Sequence, residues 1–277
     1  MALRINYNLA ASVAQRSLGA SQDNYAKQAE RLATGLRINK AGDDAAGMAV
    51  SERLKNQVRG LNQAARNAQD GISMIQTAEG AMGEAHNILA RMRELAIQAS
   101  NDTVTASDRA NLMTEFSSLY SEIDRIATST QFNGTAILTG GSTSLSLQIG
   151  ANNGNSITVN VTPSSGFQPT RLAATMSDMS IAYQTAASGS ITVLDAAVNA
   201  VSTARASLGA MQSRLESAGR SIAVASENAA AANSRIADAD IADSMSELVR
   251  AQILQQAGIS VLAQANQAPS LVLQLLK

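Results

Sequence analysis

The residues that could carry out chemistry in this chain are few, and their spacing matches no catalytic arrangement. The 277 residues include one histidine, His86, and no cysteine, which excludes a thiol nucleophile, a thiolate metal site and a disulfide. His86 belongs to a polar row with Glu79 and Arg93, where we expect a solvated residue on a helix face. No Ser-His-Asp arrangement can be built around it, so we predict neither an enzyme nor a bound cofactor.

Two groups of aspartates have simpler explanations than phosphate or metal binding. The segment KAGDDAAG lacks the Gly-Lys-Ser/Thr ending of a phosphate-binding loop. We expect its Asp43 and Asp44 to cap a following helix, because carboxylates favour helix N-termini. The segment DADIAD, with Asp238, Asp240 and Asp243, lacks the glycine turn and final glutamate of a calcium-binding loop. Capping is the expected role there too, and no metal site is predicted.

The composition argues against two large classes of partner. Charged residues make up 16% of the chain and the formal net charge is −1. A nucleic-acid-binding protein would normally carry a basic patch, and a protein of the membrane surface would carry clustered lysines and arginines. No run of 18 apolar residues is present to predict a membrane-spanning helix. We therefore expect neither nucleic acid nor membrane as a partner.

Two long segments carry apolar rows at a spacing of seven residues. The first runs from about Asp44 to Ser100 and the second from about Ile191 to Ile236. Each row extends for roughly 63 Å at a rise of about 1.5 Å per residue. Rods of equal length are typical of helices that pack on each other in an antiparallel coiled coil. The predicted seam residues are Leu54, Leu61, Ile75, Met82, Leu89, Leu194, Val201, Leu208, Leu215 and Ile222.

The region between the rods predicts one more helix and a hairpin. A 4-3-4-3 apolar spacing indicates a helix over about 107–127, and Thr105 to Asp108 (TASD) forms a possible capping box in front of it. The segments SLSLQIG and SITVNV alternate apolar and polar residues around a turn-rich ANNGN. They predict a β-hairpin within a region of about 137–162. The fold class is therefore mainly α, a long helical bundle with a small hairpin region.

The two ends of the chain have helical patterns whose apolar stripes are incomplete. A lone pair of such helices leaves much apolar surface in water, and burial between many identical copies is the simplest solution. We expect these end segments, residues 2–33 and 241–277, to be disordered in the monomer and to pair in a polymer. The candidate polymer contacts are Ile5, Leu9, Val13, Leu248, Leu254, Ile259, Leu262 and Leu273.

Several long motifs resemble one known family. The stretch ERLATGLRINKAGDDAAGMAVSERLKNQVRGLNQAARNAQDGISMIQTAEGAM is similar to the N-terminal half of bacterial flagellins. ILARMRELAIQASN, SEIDRIATSTQFNGTAIL, SLQIGANNGNSITV and NSRIADADIADSMSEL continue the resemblance in order along nearly the whole chain.

The resemblance implies a secreted, extracellular subunit that self-assembles into the helical filament of the bacterial flagellum, used for motility. Residues 1–43 and 237–277 would form the inner tube of the filament, and 44–236 the outer tube. The implied partners are other copies of the chain, an export chaperone on the C-terminal helix, and the filament cap and hook-junction proteins.

The resemblance also implies a candidate surface for a vertebrate toll-like receptor. Its residues in this sequence are Arg91 and Leu95 in RMRELAIQ, and Glu115 on the following helix. An alternative role for Arg91 and Glu115 is contact with a neighbouring subunit.

Two other functions remain open from the sequence. A hook–filament junction protein shares parts of the flagellin ends, and a secreted coiled-coil effector would bind host membranes. The hairpin motif and both rods favour flagellin, and the balanced charge disfavours the effector.

Overall fold

The computed structural model describes residues 8–139, 144–160 and 179–275, and for 268–275 it describes the helix without its side chains. Within these residues the chain forms five helices and four short strands, which confirms the mainly α class. The helices are α1 (Leu9–Thr34), α2 (Ala45–Ala99), α3 (Ala106–Ser129), α4 (Gln184–Ala237) and α5 (Ile241–Leu275). The strands are β1 (Gln131–Phe132), β2 (Thr135–Ala136), β3 (Ser144–Gln148) and β4 (Ser156–Asn160).

The chain divides into two units. The terminal unit comprises residues 1–56 and 228–277, and the central unit comprises residues 57–227. The boundaries that the resemblance implies lie near residues 43 and 237, and they stay a prediction. The assignment of those segments to two tubes of a polymer stays a prediction.

In the central unit, α2 and α4 run in opposite directions. Three polar contacts join the two helices. From one contact to the next, the α2 residue number increases while the α4 residue number decreases, as in any antiparallel pair. The contacts are Ser226 Oγ to Asn62 Oδ1 (3.0 Å), Arg205 Nη2 to Glu79 Oε1 (3.6 Å) and Arg93 Nε to Asp195 Oδ1 (2.6 Å).

The seven-residue rows lie inside the helical bundle along most of their length. Ile75, Met82 and Leu89 of α2 have no exposed surface. Leu194, Val201, Leu208 and Leu215 of α4 are equally buried, while Leu61 and Ile222 are 8% and 6% exposed. Leu54, in the terminal unit, is half-buried. Nine of the ten predicted seam residues are therefore core residues of the folded chain.

Helix α3 adds a third layer to the central core. Its N-terminus has the predicted capping box: Thr105 Oγ1 accepts from the Asp108 N–H, and the Asp108 carboxylate accepts from the Thr105 N–H. These bonds satisfy two backbone donors that a helix start leaves unpaired. Phe116 and Ile123 are buried against the core, with 2% and 0% of their surface exposed.

The predicted β3–β4 hairpin is present, with Leu145 paired to Val159 and Leu147 to Ile157. It packs on α2 where α2 has glycines. A Cβ on Gly71 would overlap Leu147 Cδ1, and a Cβ on Gly60 would lie 3.0 Å from Ala151 Cβ. The absence of side chains at these two positions therefore lets the hairpin approach the helix backbone.

Two local features were not predicted from the sequence. Strands β1 and β2 form a second small hairpin around Asn133–Gly134, and α4 begins at Gln184, several residues before the apolar row. The segment before α4 is anchored by Ile181, which is fully buried, and by a bond from Ser190 Oγ to the Ser180 carbonyl.

A loop of the terminal unit joins α1 to α2, and Asp43 organises it. Asp43 Oδ2 accepts from the N–H groups of Asn39 and Lys40, both at 3.2 Å, and its Oδ1 lies 2.7 Å from Lys27 Nζ on α1. These bonds lower the pKa of Asp43 from 3.8 to about 2, and the bond from Lys27 is the largest cause. Only Asp44 caps α2, by accepting from the Gly47 N–H. The prediction that Asp43 also caps this helix was wrong, because its carboxylate is already occupied by the loop.

We predict that Gly71→Ala destabilises the chain and that Gly80→Ala does not. Alanine stabilises a helix by about 1 kcal/mol relative to glycine, but overpacking at Gly71 costs about 1–3 kcal/mol. Gly80 lies on the same helix, and no atom lies within 4 Å of the position a Cβ would take. Alanine at Gly80 therefore brings the gain in helix stability without overpacking. Urea unfolding of both variants measures the difference. Equal stabilisation by the two substitutions would show that the hairpin does not rest on Gly71.

We predict that Lys27→Met raises the pKa of Asp43 towards its ordinary value, whereas Lys40→Met leaves it nearly unchanged. Only Lys27 bonds the carboxylate through its side chain; Lys40 does so through its backbone N–H, which the substitution retains. Because the folded pKa is depressed, the stabilisation from Asp43 is present above pH 3.8 and is lost as the pH falls to about 2. A carbon-detected NMR titration of Asp43 measures this, and an unchanged pKa in Lys27→Met would contradict it.

Candidate assembly surface

Large apolar side chains are concentrated on the outside of the two terminal helices. Among the described residues, twelve large apolar side chains are exposed, and nine of them lie on α1 or α5. We call these nine the terminal apolar surface; each is between 45% and 61% exposed. Its members are Leu9, Val13, Ile241, Met245, Val249, Ile253, Leu254, Ile259 and Val261.

The predicted polymer-contact residues are distributed unevenly over this surface. Four of them, Leu9, Val13, Leu254 and Ile259, belong to it. Leu248 and Leu262 are half-buried. Ile5 lies outside the described residues, as does the side chain of Leu273. The sequence missed the exposed row Ile241, Met245, Val249 and Ile253, whose spacing of four residues differs from the seven-residue rows used to find the seam.

The side of α5 that packs on α1 carries small residues. Ser244, Ala251, Gly258 and Ala265 recur every seven residues. Ser244 and Ala251 are 6% and 5% exposed, and Leu18 Cδ1 of α1 lies 3.4 Å from where a Cβ of Gly258 would be. Small side chains allow two helices to approach closely, but they bury little apolar area. Helix α5 therefore turns small residues towards α1, where Leu18 packs on Gly258, and most large apolar residues of α5 stay exposed.

Hydrogen bonds at both ends hold α1 and α5 antiparallel within one chain. Near the start of α1, Asn8 Nδ2 donates to the Ala265 carbonyl at 2.8 Å. Near its end, the Ala239 N–H donates to the Gly35 carbonyl at 2.9 Å. Gly35 has the positive φ of 71° that a helix C-cap of this type requires, and its own N–H donates to the Arg31 carbonyl.

Arg37 joins the same loop to the end of α4. Its N–H donates to the Ala237 carbonyl at 2.7 Å, and its guanidinium donates to the Ile236 carbonyl through Nε and Nη2. Carbonyls at a helix C-terminus lack partners within the helix, and a cation there also favours the helix dipole. The α1–α2 loop is thus fixed against the C-terminus of α4.

The residues singled out for possible chemistry have structural roles. Asp240 caps α5 by accepting from the N–H groups of Ala242 and Asp243, and Asp238 takes part in a backbone bridge with Leu36. The described residues contain no cluster of carboxylates and histidine that could hold a metal ion. In the same part of the chain, no helix is long and apolar enough to cross a membrane.

The polar row of α2 is less solvated than predicted. Glu79 and Arg93 reach across to Arg205 and Asp195 of α4, so this row faces the neighbouring helix. His86 between them is half-buried, and its Nδ1 has no partner among the described residues. His86 was predicted to be a solvated residue on a helix face, and it is only partly so, because the polar row borders the helix contact.

The three candidate receptor residues occupy different environments. Arg91 bonds Glu115 of α3 at 2.9 Å and Glu94 at 3.0 Å, and its side chain is 51% exposed. Both carboxylates raise the pKa of Arg91, and the hydrogen bond to Glu94 is the largest single cause. Leu95, in contrast, is 1% exposed and belongs to the core. A surface role for the Leu95 side chain is therefore not available in this conformation, because it faces into the bundle.

Two family models match the chain. The bacterial flagellin N-terminal helical region matches residues 5–143, and the bacterial flagellin C-terminal helical region matches residues 191–276. A flagellin of Halalkalibacterium halodurans is 48% identical over 273 residues, which is 99% of this chain and 99% of that protein. The similarity to this flagellin therefore extends along the whole chain.

Solved structures of flagellar proteins have a similar fold. The crystal structure of Bacillus cereus flagellin is similar at 31% identity, with a TM-score of 0.50 over 57% of this chain and 88% of that one. A Vibrio parahaemolyticus protein assigned as flagellar hook-associated has a TM-score of 0.58 over 71% of this chain and 100% of its own, but at 14% identity this shows a shared fold alone. With two matching family models and a full-length relative at 48% identity, the chain belongs to the bacterial flagellin family.

Proposed function

We propose that the terminal apolar surface is the contact through which copies of this flagellin bind one another. As a flagellin, the chain is a structural subunit of the flagellar filament and not an enzyme. The observation that carries the proposal is the burial pattern of α5, whose small residues face α1 while most of its large apolar residues are exposed. A second copy is the occupant because a filament subunit must present contacts to its own kind.

The gain from covering this surface is large compared with the contacts inside the pair. Burial of an apolar side chain stabilises by about 1.5–3 kcal/mol relative to full exposure, so completing the burial of a half-exposed one yields about 1 kcal/mol. Nine such side chains give a gross gain of roughly 10 kcal/mol before the costs of association. Micromolar binding requires a net binding free energy of about 8 kcal/mol. Because the gross gain is of similar size, the loss of any one side chain should weaken assembly.

The position of the surface supports the proposed division of the filament. In this proposal the segments 1–43 and 237–277 form the inner tube, where each pair is surrounded by other copies. The segment 44–236, with the hairpin region about 137–162, forms the outer tube. The central unit supports this arrangement because it buries its own large apolar residues and has only Ile97, Tyr183 and Val224 as exposed ones among its described residues.

The same surface accounts for the other proposed partners. Before export, an exposed α5 would bind other copies inside the cell, so an export chaperone that covers it would keep the chain monomeric until secretion. At the two ends of the filament, the cap and the hook-junction proteins would cover the terminal surfaces that no further copy reaches. The proposed location is accordingly extracellular.

We predict that Ile253→Ser weakens polymerisation and that Val224→Ser does not. The two side chains are similarly exposed, 60% and 58%, but only Ile253 belongs to the terminal apolar surface. A loss of about 1.4 kcal/mol per subunit raises the critical concentration roughly tenfold. Sedimentation of filaments grown from short seeds measures it, with circular dichroism to confirm that the monomers retain their helices. Equal critical concentrations for the two variants would contradict the proposal.

A second proposed function is recognition of the monomer by the vertebrate toll-like receptor. It is favoured by the exposure of Arg91 and Glu115, which hold opposite charges on adjacent helices. Leu95 would contribute by supporting α2 from the core.

We predict that Arg91→Ala reduces receptor activation by soluble monomer without destabilising the chain, because exposed ion pairs contribute about 0–1 kcal/mol. Arg125→Ala is the matched control, since Arg125 forms a similar exposed pair with Glu122 on α3. Leu95→Ala should instead lower stability by about 2–5 kcal/mol. A reporter-cell assay and thermal unfolding separate these effects. Unchanged activation by Arg91→Ala would exclude this role.

A further inference from the structure

We propose that Asn153, at the tip of the β3–β4 hairpin, is a site of spontaneous deamidation that adds a negative charge to the folded chain. The chain contains two Asn-Gly pairs in its described loops, Asn153–Gly154 and Asn133–Gly134. Asparagine is a thermally labile residue, and a following glycine leaves its backbone nitrogen open to approach because it has no Cβ. The two pairs differ in how firmly the fold holds them.

Deamidation of Asn153 requires water as its only other reactant. The Gly154 backbone nitrogen, after losing its proton to solvent, bonds to Asn153 Cγ, and the side-chain amide leaves as ammonia. The resulting five-membered succinimide is then hydrolysed at either carbonyl, giving aspartate or isoaspartate. One amide is thereby exchanged for one carboxylate, and nothing is oxidised or reduced.

The loop around Asn153 leaves the reacting atoms free. The residues from Ala151 to Asn155 are all exposed. Within the described structure, neither the Asn153 side chain nor the Gly154 N–H has a hydrogen-bond partner. The loop is held through neighbouring groups: Gln148 Nε2 donates to the carbonyls of Gly150 and Asn152, and the Asn155 N–H donates to the Asn152 carbonyl at 3.3 Å across Asn153 and Gly154. Closing the five-membered ring therefore breaks no hydrogen bond of Asn153 or of the Gly154 N–H.

The loop around Asn133 is more constrained. Asn133 and Gly134 are the two central residues of a tight hairpin turn, with φ values of 49° and 76°, and Phe132 and Thr135 pair directly on either side. Both positive φ values are those of a type I′ turn, which two-residue hairpins favour. The neighbouring Ile137 is buried and its N–H donates to the Thr130 carbonyl. Rotation of Asn133 into a ring therefore requires this turn to open.

The new carboxylate would be the first charge in its region. From Ile126 to Thr170 the sequence has no charged residue. Deamidation would change the formal net charge of the chain by one, from its initial −1. An aged population of this protein should therefore separate into two charge forms that differ at the hairpin.

The absence of lysine and arginine in this region makes a direct test possible. A single tryptic peptide, from Ile126 to Arg171, carries both Asn-Gly pairs. The folded full chain is incubated at mildly alkaline pH, digested, and analysed by tandem mass spectrometry for both sites. We expect Asn153 to react roughly tenfold faster than Asn133, the factor that about 1.4 kcal/mol of turn-opening free energy produces. Isoaspartate methyltransferase should label the product.

Two controls connect the rates to the fold. In urea the two sites should react at similar rates, since both are Asn-Gly pairs and the fold no longer constrains either. Asn153→Gln should abolish the acidic form on isoelectric focusing, whereas Asn152→Gln should retain it. Equal rates in the folded chain, or an unreactive Asn153 there, would overturn the proposal.

Discussion

Helix α5 approaches α1 through small side chains, and nine large apolar side chains of the two helices stay in contact with solvent. Ser244, Ala251 and Gly258 occupy the contact side, while Ile253 and Ile259 lie outside. These nine side chains are about half-exposed, so covering them with an external apolar partner would stabilise the pair further. The proposed contact between copies, the proposed export chaperone and the proposed inner tube all depend on this arrangement.

The central unit shows the opposite arrangement. Ile75, Met82 and Leu89 of α2 and Leu208 of α4 are completely buried, and Phe116 of α3 joins them in one core. A core made of large aliphatic residues can support an independently stable bundle. One chain thus combines a unit that buries most of its large apolar residues and a unit that leaves nine large apolar side chains exposed on its two helices.

The sequence predicted the features that depend on local spacing. The seven-residue rows identified α2 and α4, TASD identified the start of α3, and the alternation in SLSLQIG identified β3. The features that were missed depend on contacts between distant residues. Asp43 binds Lys27 on another helix, Leu95 turns towards the core, and Glu79 reaches Arg205 on α4. No spacing rule within one segment can reveal such partners, because they are set by how the segments pack.

Hydrogen–deuterium exchange along α1 and α5 tests the central claim most directly, by comparing dilute monomer with the assembled filament. If copies of the chain supply the missing apolar burial, the amides of both helices should exchange rapidly in the monomer and become strongly protected in the filament. The core of α2 around Ile75 should be protected in both states. Strong protection of α1 and α5 already in the dilute monomer, with no further increase on assembly, would contradict the account.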